Sequence, residues 1–401
     1  MKEFSFKGEN LSDRARKSLF ILDAIRRRGP ISKTDISSLI GLNVVTVSNY
    51  IDDFLRQKVV FEKEFDVSRG GRRPLLLDLN KKAGYAIGIG VNLFNTTGVL
   101  TDLSGNVLFK VKKDKQGSGV KGVVDVILSI VSDLYAQSEA YHSKIRGIGI
   151  GIGGVVDVHR EKVRWPQRVG KTYHYTDVTV PLKDIIEREF NLPVMLDNDA
   201  TLACFGEQWL TLESDVKDLV YMFAGVGCGL MLNHEIYRGA SGCAGEIAIH
   251  SEKMEAPYFL DRWEMDLGIR ENFIKAVKGQ KDVLPDISLE QAQEYSLEQI
   301  FELAKKGQSP ASDVIREAGR RLGVRTAYLV NLLNPQMVVI GGGIEHAGMS
   351  LIEEIKEVVG EWCFQESAQA VKIVSSRLGE DAVALGAASL VIRQCFVSNN
   401  E

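Results

Sequence analysis

Residues 193–207 read Pro-Val-Met-Leu-Asp-Asn-Asp-Ala-Thr-Leu-Ala-Cys-Phe-Gly-Glu. A short apolar run gives way to three consecutive polar residues, and the stretch TLACFGEQWL then continues with helical character. The pattern is that of a buried strand handing directly to a helix. Asn198 and Asp199 stand at the junction. Taken alone, Asp199 reads equally well as the N-cap of that helix. Asp197 beside them is either a helper or a solvated carboxylate.

Strand signals recur on both sides of this junction. Upstream come YAIGIGV from 85, TGVLTDL from 97 and NVLFKVK from 106. A helix, GVVDVILSIVSDLYAQ, follows from 122, then the strand IRGIGIGIGGVVD from 145. Downstream lie DLVYMFAGVGCGLMLN from 218, the hairpin strand EIYRG from 235, and a long helical stretch over 288–334. The strand QMVVIGGGI, the helix SLIEEIKEVVGEW, the strand VKIVSS and the helix AVALGAASLVIRQ close the chain. Two rounds of strand-strand-strand-helix-strand-helix predict a duplicated α/β body with two lobes. Ligands in such bodies bind in the cleft between lobes.

The composition is that of a globular protein, with 45% hydrophobic and 25% charged residues in 401. No apolar run reaches the ~18 residues a membrane span needs. The start, MKEFSFKGENLSDRARK, lacks the apolar core of a secretory signal. Five scattered cysteines without a CxxC pair suggest reduced thiols. These features predict a cytoplasmic protein with no membrane partner. The net charge of −4 divides unevenly: residues 1–75 carry 15 Lys+Arg against 10 Asp+Glu, the remainder 34 against 43. A basic head on an acidic body fits nucleic-acid binding.

That head carries three helical patterns. In the first, Leu19, Leu22 and Ile25 fall near helical spacing, with Phe20 and Ile21 alongside, and Gly29-Pro30 stops it. The second, ISKTDISSLIGLN, has Ser32 or Thr34 as its cap and ends at Gly41. The third, VVTVSNYIDDFLRQK, follows Asn43. Two short helices joined by a tight turn form a helix-turn-helix. VVFEKEF and PLLLDL supply strands for a wing. Val44, Val47, Ile51 and Phe54 or Leu55 are expected to pack inward. Asn43, Val45, Thr46, Ser48 and Asn49 are then free to face a major groove, where hydroxyls and amides hydrogen-bond base edges and an apolar side chain meets a thymine methyl. Arg69, Arg72 and Arg73 in SRGGRRP offer cations on a flexible tether for phosphates or a narrow minor groove.

Several long motifs resemble the ROK family of sugar kinases and sugar-responsive repressors. They are GIGIGGVVD (149–157), PVMLDNDATLACFGE (193–207), GVGCGLMLNHEIYRGASGCAGEI (225–247), NPQMVVIGGGI (334–344) and LGEDAVALGAASL (378–390). The resemblance implies an actin-like, ribonuclease H-like two-lobed fold. The N-terminal head resembles the family's repressor branch. Asn198 and Asp199 match the family's sugar-binding pair, in which the Asp is the base. Glu246 matches its sugar-binding Glu, and Gly153-Gly154 a cleft-lining turn. Trp165-Pro166-Gln167 sits where the family lines the cleft mouth.

The phosphate side departs from the family's kinases. Gly90 stands where they carry a Mg²⁺-holding Asp, Asn92, Leu93 and Phe94 replace Gly-Gly-Thr, and Ala224 replaces a Thr hydroxyl. Gly341-Gly342-Gly343 resembles the adenosine-side loop. The family's zinc pattern is also broken: Ile249 occupies the His position, His250 follows it, and no cysteine occurs between Cys243 and Cys363. Packing of the 256–275 segment, with Trp263 and Phe273, is expected to replace the zinc staple.

The expected organisation is a winged helix-turn-helix over 1–67, a basic linker and wing strand over 68–80, and α/β lobes over 81–198 and 199–401, with a last helix free to return to the first lobe. The expected ligand set is Gly153, Gly154, Asn198, Asp199, Glu246 and His250, with Asp199 a vestigial base and no metal or cofactor. The expected function is a sugar- or polyol-responsive transcriptional regulator, a repressor rather than an activator, that binds operator DNA as a homodimer or a dimer of dimers and whose kinase-like effector domain is catalytically inactive. The alternative is an active ATP-dependent sugar kinase carrying a DNA-binding domain.

Overall fold

A computed structural model describes residues 12–63, 75–91, 95–114, 120–157, 162–169, 172–212, 215–223, 227–247, 267–279 and 289–398. The N-terminal part contains α1 (Asp13–Arg28), β1 (Ile31–Ser32), α2 (Lys33–Ile40), α3 (Val44–Arg56), β2 (Val60–Lys63) and β3 (Leu76–Leu79). Each helix starts on a side-chain cap. Ser12 Oγ accepts from the Ala15 amide at 3.2 Å, Ser32 Oγ from Asp35 at 3.1 Å, and Asn43 Oδ1 from Thr46 at 2.7 Å. Gly41, at φ 70°, ends α2 in the left-handed region. Leu22, Ile25, Ile36, Val47, Ile51, Phe54 and Leu77 are fully buried and bind the helices to the sheet, whose order is β1-β3-β2. This is the expected winged helix-turn-helix. Val44 departs from expectation: it is 42% exposed, because the apolar stripe of α3 runs off the core at the first turn.

The body follows with β4 (Tyr85–Val91), β5 (Asn95–Asp102), β6 (Val107–Asp114), α4 (Val120–Gln137), β7 (Ile145–Ile152), β8 (Val155–Asp157), β9 (Lys162–Val169), β10 (Thr172–Val180), α5 (Leu182–Phe190), β11 (Val194–Asn198) and α6 (Asp199–Leu210). Next come β12 (Leu219–Phe223), β13 (Gly227–Leu232), β14 (Glu235–Ile236), α7 (Ile269–Gly279), α8 (Leu289–Glu294), α9 (Leu297–Lys305), α10 (Ala311–Leu333), β15 (Met337–Gly341), α11 (Met349–Trp362), α12 (Gln365–Ala370), β16 (Lys372–Ser375) and α13 (Ala382–Ser398).

Two five-stranded sheets share one topology. The first runs β11-β7-β4-β5-β6 and the second β14-β13-β12-β15-β16. In each, an antiparallel meander of three strands continues into two parallel strands. The duplication read from the sequence is therefore physical. Two features differ from expectation. β8, β9 and β10 form a separate antiparallel sheet: Val155–Asp157 is a strand of its own rather than the tail of the strand from 145, and Trp165-Pro166-Gln167 falls within β9. The single helical stretch expected over 288–334 is three helices, α8, α9 and α10.

α13 returns to the first lobe and lies along β4 and β7. Gly149 of β7 faces this helix: a Cβ there would meet the Ala387 carbonyl oxygen at 2.1 Å. The core of the N-terminal domain is continuous with the body, because Leu22 and Ile25 of α1 share a cluster with Trp209 and Phe396. Among the described residues no helix is long and apolar enough to cross a membrane.

Candidate functional site

β11 ends where β8 begins, and this corner gathers four of the predicted ligand-binding residues. Asn198 caps α6, with its Oδ1 accepting from the Thr201 amide at 3.2 Å. Its Nδ2 donates to the Gly154 carbonyl at 3.2 Å. Asp199 is the first helical residue rather than the cap. Its Oδ2 lies 3.2 Å from where a Cβ on Gly153 would stand, so the Gly153-Gly154 turn leaves the carboxylate uncovered on that side. A carboxylate on the first turn of α6 is also favoured by the helix dipole.

Asp197 is not a solvated carboxylate. It is 3% exposed and pairs with Arg238 at 2.5 Å, across the gap between the lobes. No local pattern signals this contact, because Arg238 and Asp197 are 41 positions apart in the chain. Glu246 belongs to the same end of the second lobe. The Cys228 amide at the start of β13 donates to the Gly245 carbonyl at 2.8 Å. Burial, with the Glu246 carboxylate next in effect, pushes the Cys228 thiol up to about 12. Gly229 of β13 packs against the Ala200 carbonyl of α6, which sets β13 beside the first turn of α6. Glu246 is exposed. His250 and Trp263 lie outside the described residues; Phe273 is fully buried on α7.

The phosphate side is built differently. A Cβ on Gly90 would stand 2.7 Å from the Ala384 amide nitrogen and 2.8 Å from Val383 Cβ. α13 therefore fills the space that a carboxylate at 90 would need, and a Mg²⁺ ligand does not fit there. Asn92, Leu93, Phe94 and Ala224 lie outside the described residues. A cavity of about 250 Å³ opens beside Gly342-Gly343, between Phe223, Phe301 and His346. Among the described residues, the two lysines that line it have carboxylate partners: Lys112 pairs with Glu380 at 2.7 Å and Lys305 with Glu302 at 2.8 Å. The Lys112 ammonium bonded to Glu380 holds that carboxyl below its ordinary range.

On the N-terminal domain, α3 presents its first turns outward. Val45 is 71% exposed, Asn49 and Asn43 are exposed, and Thr46 and Ser48 are half-buried. Asn43 Oδ1 is committed to the cap, and Ser48 Oγ accepts from Lys33 Nζ at 2.9 Å, which ties α3 to α2. Arg69, Arg72 and Arg73 lie outside the described residues.

The family profile described as ROK family matches residues 85–253 and 271–394, most of the chain. The chain belongs to the ROK family. Among curated ROK relatives, the xylose repressor of Caldicellulosiruptor bescii is 31% identical over 93% of this chain and 94% of its own length. The xylose repressor of Bacillus subtilis is 26% identical, over 93% and 94%. Among solved structures, a ROK family transcriptional regulator described as a homologue of the E. coli MLC protein aligns with TM-score 0.75 and 23% identity, over 96% of this chain and 97% of that one. A ROK glucokinase from Streptomyces griseus, in complex with glucose and AMPPNP, aligns with TM-score 0.64 and 24% identity, over 77% and 99%. The regulators thus span nearly the whole chain, whereas the kinase spans about three quarters of it.

Proposed function

We propose that this protein is a sugar-responsive transcriptional repressor whose kinase-like body senses a ligand without phosphorylating it. One observation carries the reading, the asymmetry of the cleft. Asn198, Asp199 and Glu246 keep the hydrogen-bonding groups a polyol needs. On the opposite side, α13 leaves no room at Gly90 for a metal-holding carboxylate. The relatives named xylose repressors make a small neutral sugar of the xylose class the first effector to test.

Operator DNA is the macromolecular partner. Asn43, Val45, Thr46, Ser48 and Asn49 face the major groove, and Arg69, Arg72 and Arg73 neutralise phosphates. A two-fold operator calls for a homodimer or a dimer of dimers. Support for self-association comes from an apolar patch on the second lobe, where Tyr328, Leu332, Trp362 and Phe364 are 54%, 63%, 58% and 75% exposed. Effector binding closes the cleft and changes the separation of two winged helices, which shifts operator affinity. A coupling of ~1–3 kcal/mol is enough to regulate.

The test uses the tightest duplex that the full-length chain selects from a random-sequence pool. Its affinity is measured with and without D-xylose, hexoses and amino sugars. The reading fails if no sugar changes the affinity. The competing reading, an active ATP-dependent sugar kinase with a DNA-binding head, has Asp199 in its favour. It prevails if ATP turnover with any of these sugars is abolished by Asp199→Asn.

A further inference from the structure

Arg26 and Arg27 lie next to each other on α1, in the DNA-binding domain, and both reach into the body. Arg26 Nη2 donates to the Trp209 carbonyl at 2.5 Å, and its guanidinium stacks 4.4 Å over the Trp209 ring. Arg27 donates to the carbonyls of Leu212 at 2.5 Å and Gln208 at 2.9 Å. Asp23 orients both guanidinium groups, accepting from Arg26 at 2.7 Å and from Arg27 at 2.8 Å. The two arginine side chains are 5% and 15% exposed.

The accepting carbonyls of Gln208 and Trp209 belong to the last turn of α6, and Leu212 lies just beyond it. Carbonyls of a last helical turn lack partners within the helix and form the negative end of its dipole. Two planar cations satisfy them from another domain. The opposite end of the same helix is Asn198-Asp199. Twelve residues at 1.5 Å rise place the two ends about 18 Å apart. Ala200 to Trp209 are all buried, so α6 is gripped along its length and a displacement at one end cannot be absorbed by bending into solvent.

A second helix ends on the same target. α13 crosses α6 with backbones in contact: a Cβ on Gly206 would stand 2.9 Å from Gly386 Cα, and one on Gly386 would stand 1.8 Å from the Leu202 carbonyl oxygen. The far end of α13 accepts from α1, with Ser18 Oγ donating to the Phe396 carbonyl at 3.1 Å. α1 therefore touches the ends of two crossed helices. One begins at the candidate sugar site, and the other lies on the first-lobe sheet.

We infer that Arg26 and Arg27 are positioning residues that carry the state of the Asn198-Asp199 site through α6 to the DNA-binding domain. The inference rests on the sugar-responsive reading above and adds the route. Closure of the lobes turns α6 against α13, and the arginines convert that rotation into a movement of α1 relative to the body. The element that both sites bias is the crossed helix pair.

The test measures two affinities and their coupling in the full-length chain. D-xylose binding is read by calorimetry. Affinity for the selected duplex is read without sugar and at saturating D-xylose. The variants are R26M/R27M, R27K, and R320M, the last removing an exposed cation that pairs with Glu354 on the second lobe. R26M/R27M is expected to keep both separate affinities within about threefold while the D-xylose shift falls below about twofold. R27K keeps the charge but not the two-point fork, and should show an intermediate shift. R320M should show the full shift. A purely structural role would lower both affinities together and leave their coupling intact. The inference is overturned if R26M/R27M keeps the wild-type shift, or if R320M loses it equally. Should the double variant unfold, an undiminished shift in R27K overturns it. Where another sugar of the panel above gives the wild-type shift, that sugar replaces D-xylose in the test; a wild-type chain whose DNA affinity ignores every sugar of that panel defeats the sugar-responsive reading and this inference with it.

Discussion

Gly90 of β4 lies directly beneath Ala384 of α13, with 2.7 Å between the position of an added Cβ and the Ala384 amide nitrogen. The contact is to backbone, which cannot rotate away as a side-chain tip can. Gly90→Asp therefore does not restore a metal ligand. It should destabilise the fold by about 1–3 kcal/mol through overpacking, read as a lower denaturant midpoint. ATP turnover with D-xylose should stay at background. A G90D protein of unchanged stability would show that α13 can withdraw from β4.

The Asp197–Arg238 pair makes a different prediction. Both side chains are nearly inaccessible, at 4% and 14% exposed. Removing one partner leaves a buried charge alone, so Arg238→Met should cost about 3–5 kcal/mol of stability. Asp197→Asn added to it should recover part of that loss. Because the pair bridges the lobes beside Asn198, the single variant should also weaken D-xylose binding. Equal stabilities for R238M and the double variant would remove the case for a charge penalty.

On the recognition helix, Asn49→Ala removes an exposed amide without disturbing Val47 or Ile51 in the core. It should lower discrimination at one base position by about 1–3 kcal/mol and leave the unfolding midpoint unchanged. Arg72→Ala should behave otherwise. It should weaken binding to all duplexes alike and reduce the slope of log affinity against log salt by about one. Identical effects of the two variants on specific and random duplexes would contradict the assignment.

Glu345 offers a stability test that depends on pH. Its carboxyl is raised above the ordinary carboxylate range, chiefly by burial. Oε2 accepts from the Gly343 amide at 2.7 Å, but buried Oε1 has no hydrogen-bond partner. The folded state holds this proton more tightly than the unfolded state. Stability from this group is therefore greatest at low pH and falls as pH rises through the window between the ordinary and the raised value. Glu345→Gln removes the titration. It should match the wild type near pH 4 and exceed its stability at pH 8 by on the order of 1 kcal/mol. Thermal melts across that range would refute the prediction if the two curves run parallel.

Much of this organisation was legible in the residues. The cap of α2, read as Ser32 or Thr34 and found at Ser32, and the stop at Gly29-Pro30 act over three or four positions, so local sequence specifies them, whereas Asn43 reads as a DNA-facing residue and is also the cap of α3. The same holds for the duplicated strand pattern, because alternation and apolar runs encode burial directly. The inward stripe of α3 was right at Val47, Ile51 and Phe54 and wrong at Val44, since periodicity gives a face but not where the core beneath it ends. β9 and β10 carry no clear strand signal because their residues are mixed in polarity and form a small sheet outside the main two, and Val155–Asp157 reads as the tail of the strand from 145 rather than as a strand of its own.

The sequence by itself determined the family, the two-lobed plan, the DNA-binding head, and the residue types at Asn198, Asp199, Glu246 and Gly90. Each of these is a short motif or a local period. Only the tertiary structure decided what meets what across long separations in the chain. It set Arg238 on Asp197, Ala384 over Gly90, and Arg26 and Arg27 on the far end of α6. None of these contacts leaves a trace in spacing, because a side chain's partner is chosen by how helices and sheets pack, and packing is a property of the whole chain.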